Sequence, residues 1–394
     1  MRFLFVAPRF HTNQYPTSRG LIEHGHEVFY LVQSVGASED HSFVEPRKME
    51  LSLFGKIRKK RLEKKFDAPT VESRMISNFI PSCRSIRRYV KEVKPDIVIL
   101  RDRIPSTLKA NFICRRKGIK TIILYNQTEL YVNKNKKNSP LQRIVFALMP
   151  KVRYTISKYH DFYDPVERPD ELCVKPHEYF VPYVCPPEPG ADERGYLGEN
   201  GEVRLLCVGK YRPYKNQQVL IRALSLIKER GKIDKVRLTL IGQAVVPEEH
   251  EYLEATKMLV AGLGLEEAVE FRKSVPYSEM ADVYRQNDVM ILPSKDELAS
   301  ISVLESMSHA VLPISTNKNG SAFYITEGET GLVFRTDDPA SLADCIERLI
   351  DNPADIPRMG KAGYEYLKHN CMYENYRDAL GELLEKEFSV KLEY

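Results

Sequence analysis

LPSKDELASISVLESMSHAVLPI, residues 292–314, places two carboxylates, Glu297 and Glu305, eight positions apart. The apolar run that leads into this stretch, Val289 to Leu292, predicts a buried strand. Apolar residues then recur near helical spacing from Ile301 onward, which predicts a helix. Glu297 therefore falls in the loop between strand and helix, and Glu305 falls one turn inside the helix.

The loop between the two carboxylates consists mainly of small residues. Ala299, Ser300 and Ser302 would let backbone N–H groups approach a ligand. The N-terminus of the predicted helix adds partial positive charge that suits a diphosphate. Carboxylates for hydroxyls and N–H groups for phosphates together suit a sugar nucleotide. Two Glu residues alone are weak evidence in a chain rich in Glu, so the surrounding segments decide the interpretation.

Further apolar strands flank this stretch on both sides. Helical segments or loops separate each strand from the next, which is the pattern of a parallel sheet covered on both faces. Ligands of such sheets bind beyond the carboxyl ends of the strands. The predicted strands cover residues 203–208, 236–243, 269–271, 288–294, 311–316 and 330–334.

Polar side chains follow several of these strand ends. Lys210 and Lys215 flank the turn that begins at Gly209, where flexible ammonium groups can reach a phosphate. Residues that follow a strand or begin a helix can converge on one crevice. Those expected to do so are Gly209, Lys210, Lys215, Gln243, Glu297 and Glu305.

Residues 200–370 resemble the donor-binding domain of the family-4 glycosyltransferases. The resemblance rests on Gly209-Lys210 with Lys215, the Gly242 turn, the stretch from Glu297 to Glu305 that continues as VLESM, and GETGLVF at residues 328–334. It implies an α/β protein with the GT-B fold, two Rossmann-like domains facing each other across a cleft. It also implies transfer of a sugar, with retention, from a nucleoside diphosphate sugar, most simply a UDP-sugar, without cofactor or metal. The chain has no Asp-x-Asp pair to hold a metal.

The resemblance assigns roles to individual residues. Glu297, Lys215 and Lys210 would be catalytic: the lysines would neutralise the diphosphate, and Glu297 would hold hydroxyls of the donor sugar. Glu305 would accept hydrogen bonds from the ribose. The implied donor-binding set is Gly209, Lys210, Lys215, Gln243, Glu297, Leu298, Ala299, Ser300, Ile301, Ser302 and Glu305.

The sequence departs from the family pattern at two places. Leu298, Ala299 and Ser300 stand where the family usually has Gly-Phe-Gly, so the donor sugar is not specified. Asn126 and its neighbours stand where relatives frequently carry a catalytic His. The candidate acceptor-binding residues, which lie at strand ends of the N-terminal half, are His11, Asn13, Arg101, Arg103 and Asn126.

Length and composition agree with two domains. The chain has 394 residues, 43% of them hydrophobic, which suffices for two cores of ordinary size. A segment rich in Pro, Gly and acid, residues 184–201, separates an acceptor domain at 1–190 from a nucleotide-sugar domain at 191–370. Residues 371–394 are expected to form a helix that packs back on the first domain.

Charge distinguishes the two halves. Up to Gly190 the chain has 34 Lys and Arg against 20 Asp and Glu, whereas the remainder has 25 against 34. The densest basic segment, residues 51–66, predicts a helix with basic and apolar sides, as in helices that lie on anionic membranes. Lys59, Lys60, Lys64 and Lys65 would contact the membrane. A solvated basic helix is the equally weighted alternative.

Cysteine content and hydropathy bear on localisation. The seven cysteines are dispersed and form no C-x-x-C pair, which favours a reducing compartment. No apolar stretch approaches the length of a membrane span. We therefore expect a cytoplasmic protein, peripheral on the inner face of the membrane, that adds a sugar to a glycan or lipid-linked acceptor.

Other functional classes fit the sequence less well. An inactive GT-B-like protein that binds nucleotide as a membrane-associated partner stays open, because the N-terminal His is missing. Nucleic-acid binding fits the charge but lacks any recognition motif. A nicotinamide dehydrogenase is disfavoured because the first strand ends in APRFHTN, without G-x-G-x-x-G. Oligomeric state is not specified by the sequence.

Overall fold

A computed structural model of the protein describes residues 1–35, 41–125, 147–157, 176–295, 297 and 299–392. These residues form two compact units. The first unit contains the described residues up to Ile156, the stretch that ends at Val184 and the chain from Tyr373 onward. The second contains Ser157 and Cys185–Met372. The chain thus divides after Val184 and after Met372, whereas the sequence predicted boundaries at residues 190 and 370.

The first unit is built on a parallel sheet with the strand order β3-β2-β1-β4-β5-β6-β7. Its central strands are buried on both faces, which explains why they are nearly continuous apolar runs. In the register of the sheet, Phe3 pairs with Val28 on one side and with Ile97 on the other. The strands are β1 Arg2–Ala7, β2 Glu27–Val32, β3 Arg47–Lys48, β4 Ile97–Arg101, β5 Lys120–Tyr125, β6 Arg153–Thr155 and β7 Glu178–Phe180.

The second unit is built on another parallel sheet, with the order β10-β9-β8-β11-β12-β13. Strands β8 and β11 are neighbours, so their carboxyl ends lie side by side although the sequence separates them by two further strands. The strands are β8 Val203–Val208, β9 Val236–Gly242, β10 Val269–Lys273, β11 Val289–Leu292, β12 Leu312–Thr316 and β13 Leu332–Phe334. Each unit therefore has the α/β, Rossmann-like architecture that the sequence predicts.

Helices connect most of the parallel strands, as crossovers of this kind require. Those of the first unit include α1 Tyr15–Glu23, α2 Leu53–Glu63, α3 Ala68–Asn78, α4 Cys83–Val93 and α5 Pro105–Arg115. Those of the second unit include α6 Gln217–Glu229, α7 Pro247–Gly262, α8 Met280–Arg285, α9 Ser302–Ser308, α10 Pro339–Asp351 and α11 Asp355–Asn370, and α12 Tyr373–Phe388 follows it.

Helix α12 packs within the first unit. Tyr373 lies against Gly20 of α1 so closely that a methyl group at position 20 would meet its ring at 2.0 Å. At the other end of α12, Glu387 accepts hydrogen bonds from Tyr179 at 2.6 Å and from His177 at 2.8 Å. The last helix of the chain therefore belongs to the same unit as the first.

Candidate functional site

The loop after β8 begins where two strand ends approach each other closely. The Gly209 N–H donates to the Ile241 carbonyl at 2.9 Å. At the end of β9, a Cβ at Gly242 would meet the Gly209 carbonyl oxygen at 2.1 Å, so this approach requires glycine at position 242. The tight pairing fixes the backbone from which Lys210 and Lys215 project. Lys210 is exposed, whereas Lys215 is partly buried.

Lys215 and Glu297 form an ion pair, with 2.5 Å between Nζ and Oε2. Their side chains are only 15% and 18% exposed. The pair links the loop after β8 to the loop after β11. A second link lies beside it, where the Lys295 N–H donates to the Tyr214 carbonyl at 2.7 Å. The sequence placed both residues at the site but did not anticipate that they pair with each other.

The loop after β12 holds the backbone around Glu297. The Gly320 N–H donates to the Glu297 carbonyl at 2.9 Å. The Ser321 hydroxyl accepts from the Ser300 N–H at 2.7 Å and donates to the Ser300 carbonyl at 2.6 Å. Neither Gly320 nor Ser321 was predicted from the sequence. Their signal was available, since the polar run Asn319-Gly320-Ser321 closely follows a strand that ends at the same edge of the sheet.

Glu305 lies in the first turn of α9 and accepts a hydrogen bond from the Tyr284 hydroxyl at 3.1 Å. Burial raises the pKa of Glu305 to about 7, although the hydrogen bond from Tyr284 opposes that shift. Behind it, His309 stacks on Tyr284 with 5.0 Å between ring centroids, and burial lowers the pKa of His309. Glu305 is thus a carboxylate whose charge changes near neutral pH.

The remaining predicted donor residues have a mixed placement. Gln243 is exposed beyond β9. Ile301 directly precedes α9, and Ser302 begins it. The Ser300 hydroxyl donates to that of Ser302 at 3.3 Å. Ala299 lies in the loop next to Ser300, and Leu298 lies outside the described residues. Helix α9 spans only seven residues, so the helix N-terminus invoked for the diphosphate has a small dipole.

In the first unit, four of the predicted acceptor residues lie at or just after the ends of two adjacent strands, β1 and β4. Arg101 ends β4, is 9% exposed, and donates to the Asn13 side-chain oxygen at 3.4 Å. Arg103 contacts the Tyr125 hydroxyl, and its guanidinium lies 4.5 Å from the centre of that ring. His11 directly precedes the short 3-10 turn Thr12–Gln14, which contains Asn13. Asn126 lies outside the described residues.

Within the described ranges, no group of three or more His, Cys, Asp or Glu side chains could hold a metal ion. Metal independence stays a prediction. No helix in the same ranges is long and apolar enough to cross a membrane.

Comparisons with known proteins bear on both units. Residues 192–366 match the family model of glycosyl transferases group 1. The chain is 29% identical over 162 residues to the D-inositol 3-phosphate glycosyltransferase of Corynebacterium efficiens, covering 41% of this chain and 38% of that protein. It is 24% identical over 239 residues to the GDP-mannose-dependent alpha-(1-6)-phosphatidylinositol monomannoside mannosyltransferase of Mycolicibacterium smegmatis, covering 59% and 60%. The chain thus spans less than two thirds of either relative's length.

A solved structure matches nearly the whole chain. Alr3699/HepE of Anabaena, in complex with UDP-glucose, has a TM-score of 0.71 and 12% identity, over 99% of this chain and 100% of that chain. At this identity the similarity shows the fold, which is the two-domain GT-B fold expected from the sequence.

Proposed function

We propose, from the group 1 glycosyltransferase domain at residues 192–366, that the protein transfers a sugar from a nucleoside diphosphate sugar, with retention and without a metal ion. The acceptor is a glycan or a lipid-linked sugar of the cell surface. The observation that carries this proposal is the Lys215–Glu297 pair, 2.5 Å apart at the ends of two adjacent strands. It sets a cation and a carboxylate side by side in a partly buried site.

The chemistry of donor binding follows from that pair. A diphosphate brings two negative charges and competes with the Glu297 carboxylate for the Lys215 ammonium group. Glu297 can then accept hydrogen bonds from hydroxyls of the donor sugar. As the sugar leaves, charge builds up on the diphosphate, and fixed cations from Lys215 and Lys210 stabilise it. Glu305 accepts hydrogen bonds from the ribose.

UDP is the donor nucleotide we favour, and a panel of nucleotides tests this choice. HepE is described in complex with UDP-glucose, whereas the mycobacterial relative is named for GDP-mannose. Thermal shift with UDP, GDP, ADP and their sugars should show the largest stabilisation with uridine nucleotides, because a tight ligand stabilises the fold by mass action. The absence of any shift with every nucleotide would contradict the proposed function.

Donor binding should not depend on a divalent cation. We expect calorimetry to give the same UDP affinity in EDTA as in magnesium or manganese, because Lys210 and Lys215 supply the compensating charge. Binding that disappears in EDTA and returns with either metal would show the metal-independent assignment to be wrong.

Donor affinity should rise with pH through the range in which Glu305 ionises. The ionised carboxylate accepts ribose hydroxyls better than the acid, and its pKa is about 7. The dissociation constant of the UDP-sugar selected by the panel should therefore fall by about tenfold from about pH 6 to about pH 8. Calorimetry at a series of pH values measures this.

The matched variant is Glu305→Gln, which should bind the donor with little pH dependence. Stability supplies a second measurement. Burial raises the pKa of Glu305 in the folded state above its usual value of 4.5. The folded state therefore holds this proton more tightly, and the free energy of unfolding should fall as pH rises from about 4.5 to about 7. Glu305→Gln should lack that component; an identical pH profile in both proteins would refute it.

We also propose that α2 brings the protein to anionic membranes. Leu53 and Phe54 at its start are 73% and 74% exposed, and Ile57, one turn further on, is 44% exposed. Several basic residues follow them. Each basic side chain near an anionic surface contributes about 1 kcal/mol, and the exposed apolar residues can enter the interface.

Liposome cosedimentation tests the membrane proposal. Wild type should pellet with anionic vesicles, and less as salt rises, because salt screens the attraction. A variant with Lys59, Lys60, Lys64 and Lys65 changed to Glu should stay in the supernatant and still bind UDP. Equal sedimentation of the two proteins would instead assign α2 to an ordinary solvated surface.

One specific observation favours an alternative function. Asn126 stands where a catalytic His is frequent in relatives, so the chain could bind nucleotide without transferring sugar. Release of UDP from the bound donor, with or without an acceptor, separates the two functions. A protein that binds the donor tightly and releases no UDP with any acceptor would be the inactive partner.

A further inference from the structure

A groove of about 970 Å³ opens in the first unit, between α2 and α3. Its floor is apolar. Val71, Met75 and Phe79 line it from α3 and the segment that follows, and Met49 lines it beside β3; all four are buried. The volume lies in the range of pockets that hold small molecules.

Lysines from α2 line the rim of the groove. Lys56, Lys59 and Lys60 all line it, with Lys48 beside them. Three carboxylates share the rim. Two of them have partners, since Glu63 pairs with Lys59 at 3.4 Å and Glu50 pairs with Arg88 at 2.5 Å; the third is Glu72. No described residue forms an ion pair with Lys56 or Lys60. The α2 side of the rim therefore presents two ammonium groups available to an anion.

The groove also has a polar, incompletely hydrogen-bonded part. Gln33 and Ser34 line it directly after β2, at the carboxyl edge of the sheet. Gln33 is 3% exposed, and its amide nitrogen donates to the Ser106 hydroxyl at 2.8 Å. Within the described part of the chain, no group hydrogen-bonds to Gln33 Oε1 or to Ser34 Oγ. Buried polar atoms of this kind normally have a partner, which a bound ligand can supply.

We infer that this groove binds one molecule of a phosphate-bearing lipid, with its hydrocarbon chain on the apolar floor and its phosphate at Lys56 and Lys60. Hydroxyls of the head group can donate to Gln33 Oε1. The inference deepens the proposed function and rests on it for its biological meaning, because the lipid is then the carrier of the acceptor. The chemistry itself, an alkyl or isoprenoid chain with an anionic head, follows from the groove alone.

This occupant is distinct from a bilayer surface. Lys64 and Lys65 are exposed and do not line the groove, and Leu53 and Phe54 do not line it either. The basic segment thus separates into a groove side, which includes Lys56 and Lys60, and residues outside it. A lipid in the groove requires the first set only, whereas attraction to a bilayer depends on all the charges together.

Calorimetry with farnesyl phosphate below its micelle concentration tests the inference. Farnesol and inorganic phosphate serve as the chain alone and the head alone. Farnesyl phosphate should bind at least about tenfold tighter than either part. Equal affinity for inorganic phosphate and farnesyl phosphate would overturn the role of the groove, as would binding only to vesicles and not to the monomeric lipid.

Paired variants locate the bound lipid. Lys56→Glu with Lys60→Glu should weaken binding by about tenfold or more. The matched control, Lys64→Glu with Lys65→Glu, makes the same change of charge outside the groove and should leave affinity within about twofold. Ala68→Trp places a bulky ring at an exposed lining position, where folding should tolerate it, and should reduce lipid binding about fivefold or more. Equal losses in the two lysine pairs, or full affinity in Ala68→Trp, would refute the groove.

UDP binding, measured on the same samples, separates the two proposals. The groove variants should bind UDP as wild type does, because the donor residues all belong to the second unit. Lipid binding without UDP binding would leave the groove standing and remove the glycosyltransferase assignment. UDP binding without lipid binding would refute the groove proposal and leave the glycosyltransferase assignment standing.

Discussion

Glu297→Ala is expected to lower kcat by about 10²-fold or more, with a smaller effect on donor binding. The carboxylate would hold hydroxyls of the donor sugar, and these contacts strengthen as the sugar begins to leave. Lys215→Ala should act differently, weakening donor binding because diphosphate charge stays uncompensated. Initial rates at saturating donor, together with calorimetry of UDP, distinguish the two effects. Turnover of Glu297→Ala close to wild type would remove the role we assign to that residue.

The ion pair between these residues complicates single substitutions. Removing one partner leaves the other partly buried without this ion pair, which costs about 1–3 kcal/mol of stability. The double variant Lys215→Ala with Glu297→Ala should therefore be destabilised by less than the sum of the single variants. Lys257→Ala, which breaks an exposed pair with Glu254 on α7, is the matched control and should leave both stability and turnover nearly unchanged. Circular dichroism must show that each variant is folded.

The strands of the second unit were the most predictable part of the fold. The run Val203–Val208 was predicted with its observed bounds, because a continuous apolar segment between polar residues fits a buried parallel strand. The sequence predicts a helix over Arg19–His24, but helix α1 begins earlier, at Tyr15, and ends at Glu23. Pro16 lies in its first turn, where proline is tolerated because the missing N–H has no helical partner there.

The site could be predicted as a set of residues but not as a set of contacts. Lys215 and Glu297 are 82 residues apart, and only the strand order brings them together. The pKa of Glu305 depends on its burial beside Tyr284, which is contributed by a different helix. Neither property leaves a local signal in the sequence. Gly320 supports the loop through its backbone N–H and Ser321 through its hydroxyl, and both contacts again depend on the strand order that brings the loop after β12 beside Ser300.

The sequence of the basic segment, residues 51–66, likewise does not show which of its lysines lie together in the structure. In the sequence it is a single run of charges, and no periodicity tells which lysine faces the groove. The packing of α2 beside α3 makes that division, and it places Lys60 on the rim while Lys64 lies outside. The apolar floor comes from α3 and the residues near it, which were not part of the predicted membrane segment. Two helices must be positioned together before the groove exists.

Gly242→Ala should lower both the stability of the protein and its affinity for the donor, through a shift of the backbone. A methyl group at this position would meet the Gly209 carbonyl oxygen at 2.1 Å and the Tyr211 ring at 3.1 Å. The carbonyl is part of the backbone and cannot rotate away, because the Gly209 N–H is bonded to Ile241 in the adjacent strand. The backbone after β8 must therefore shift. We expect a loss of about 2–4 kcal/mol in the free energy of unfolding.

The same shift moves the loop that carries Lys210 and Lys215, so UDP affinity should fall by about tenfold or more even at a temperature where the variant is fully folded. Denaturant unfolding and calorimetry measure the two effects. The control is Gly262→Ala, at the end of α7, where a methyl group would meet nothing within 4 Å. It should be neutral or stabilising by up to about 1 kcal/mol, since alanine favours the helix. Wild-type UDP affinity in Gly242→Ala would mean that the donor loop is not held by this strand contact.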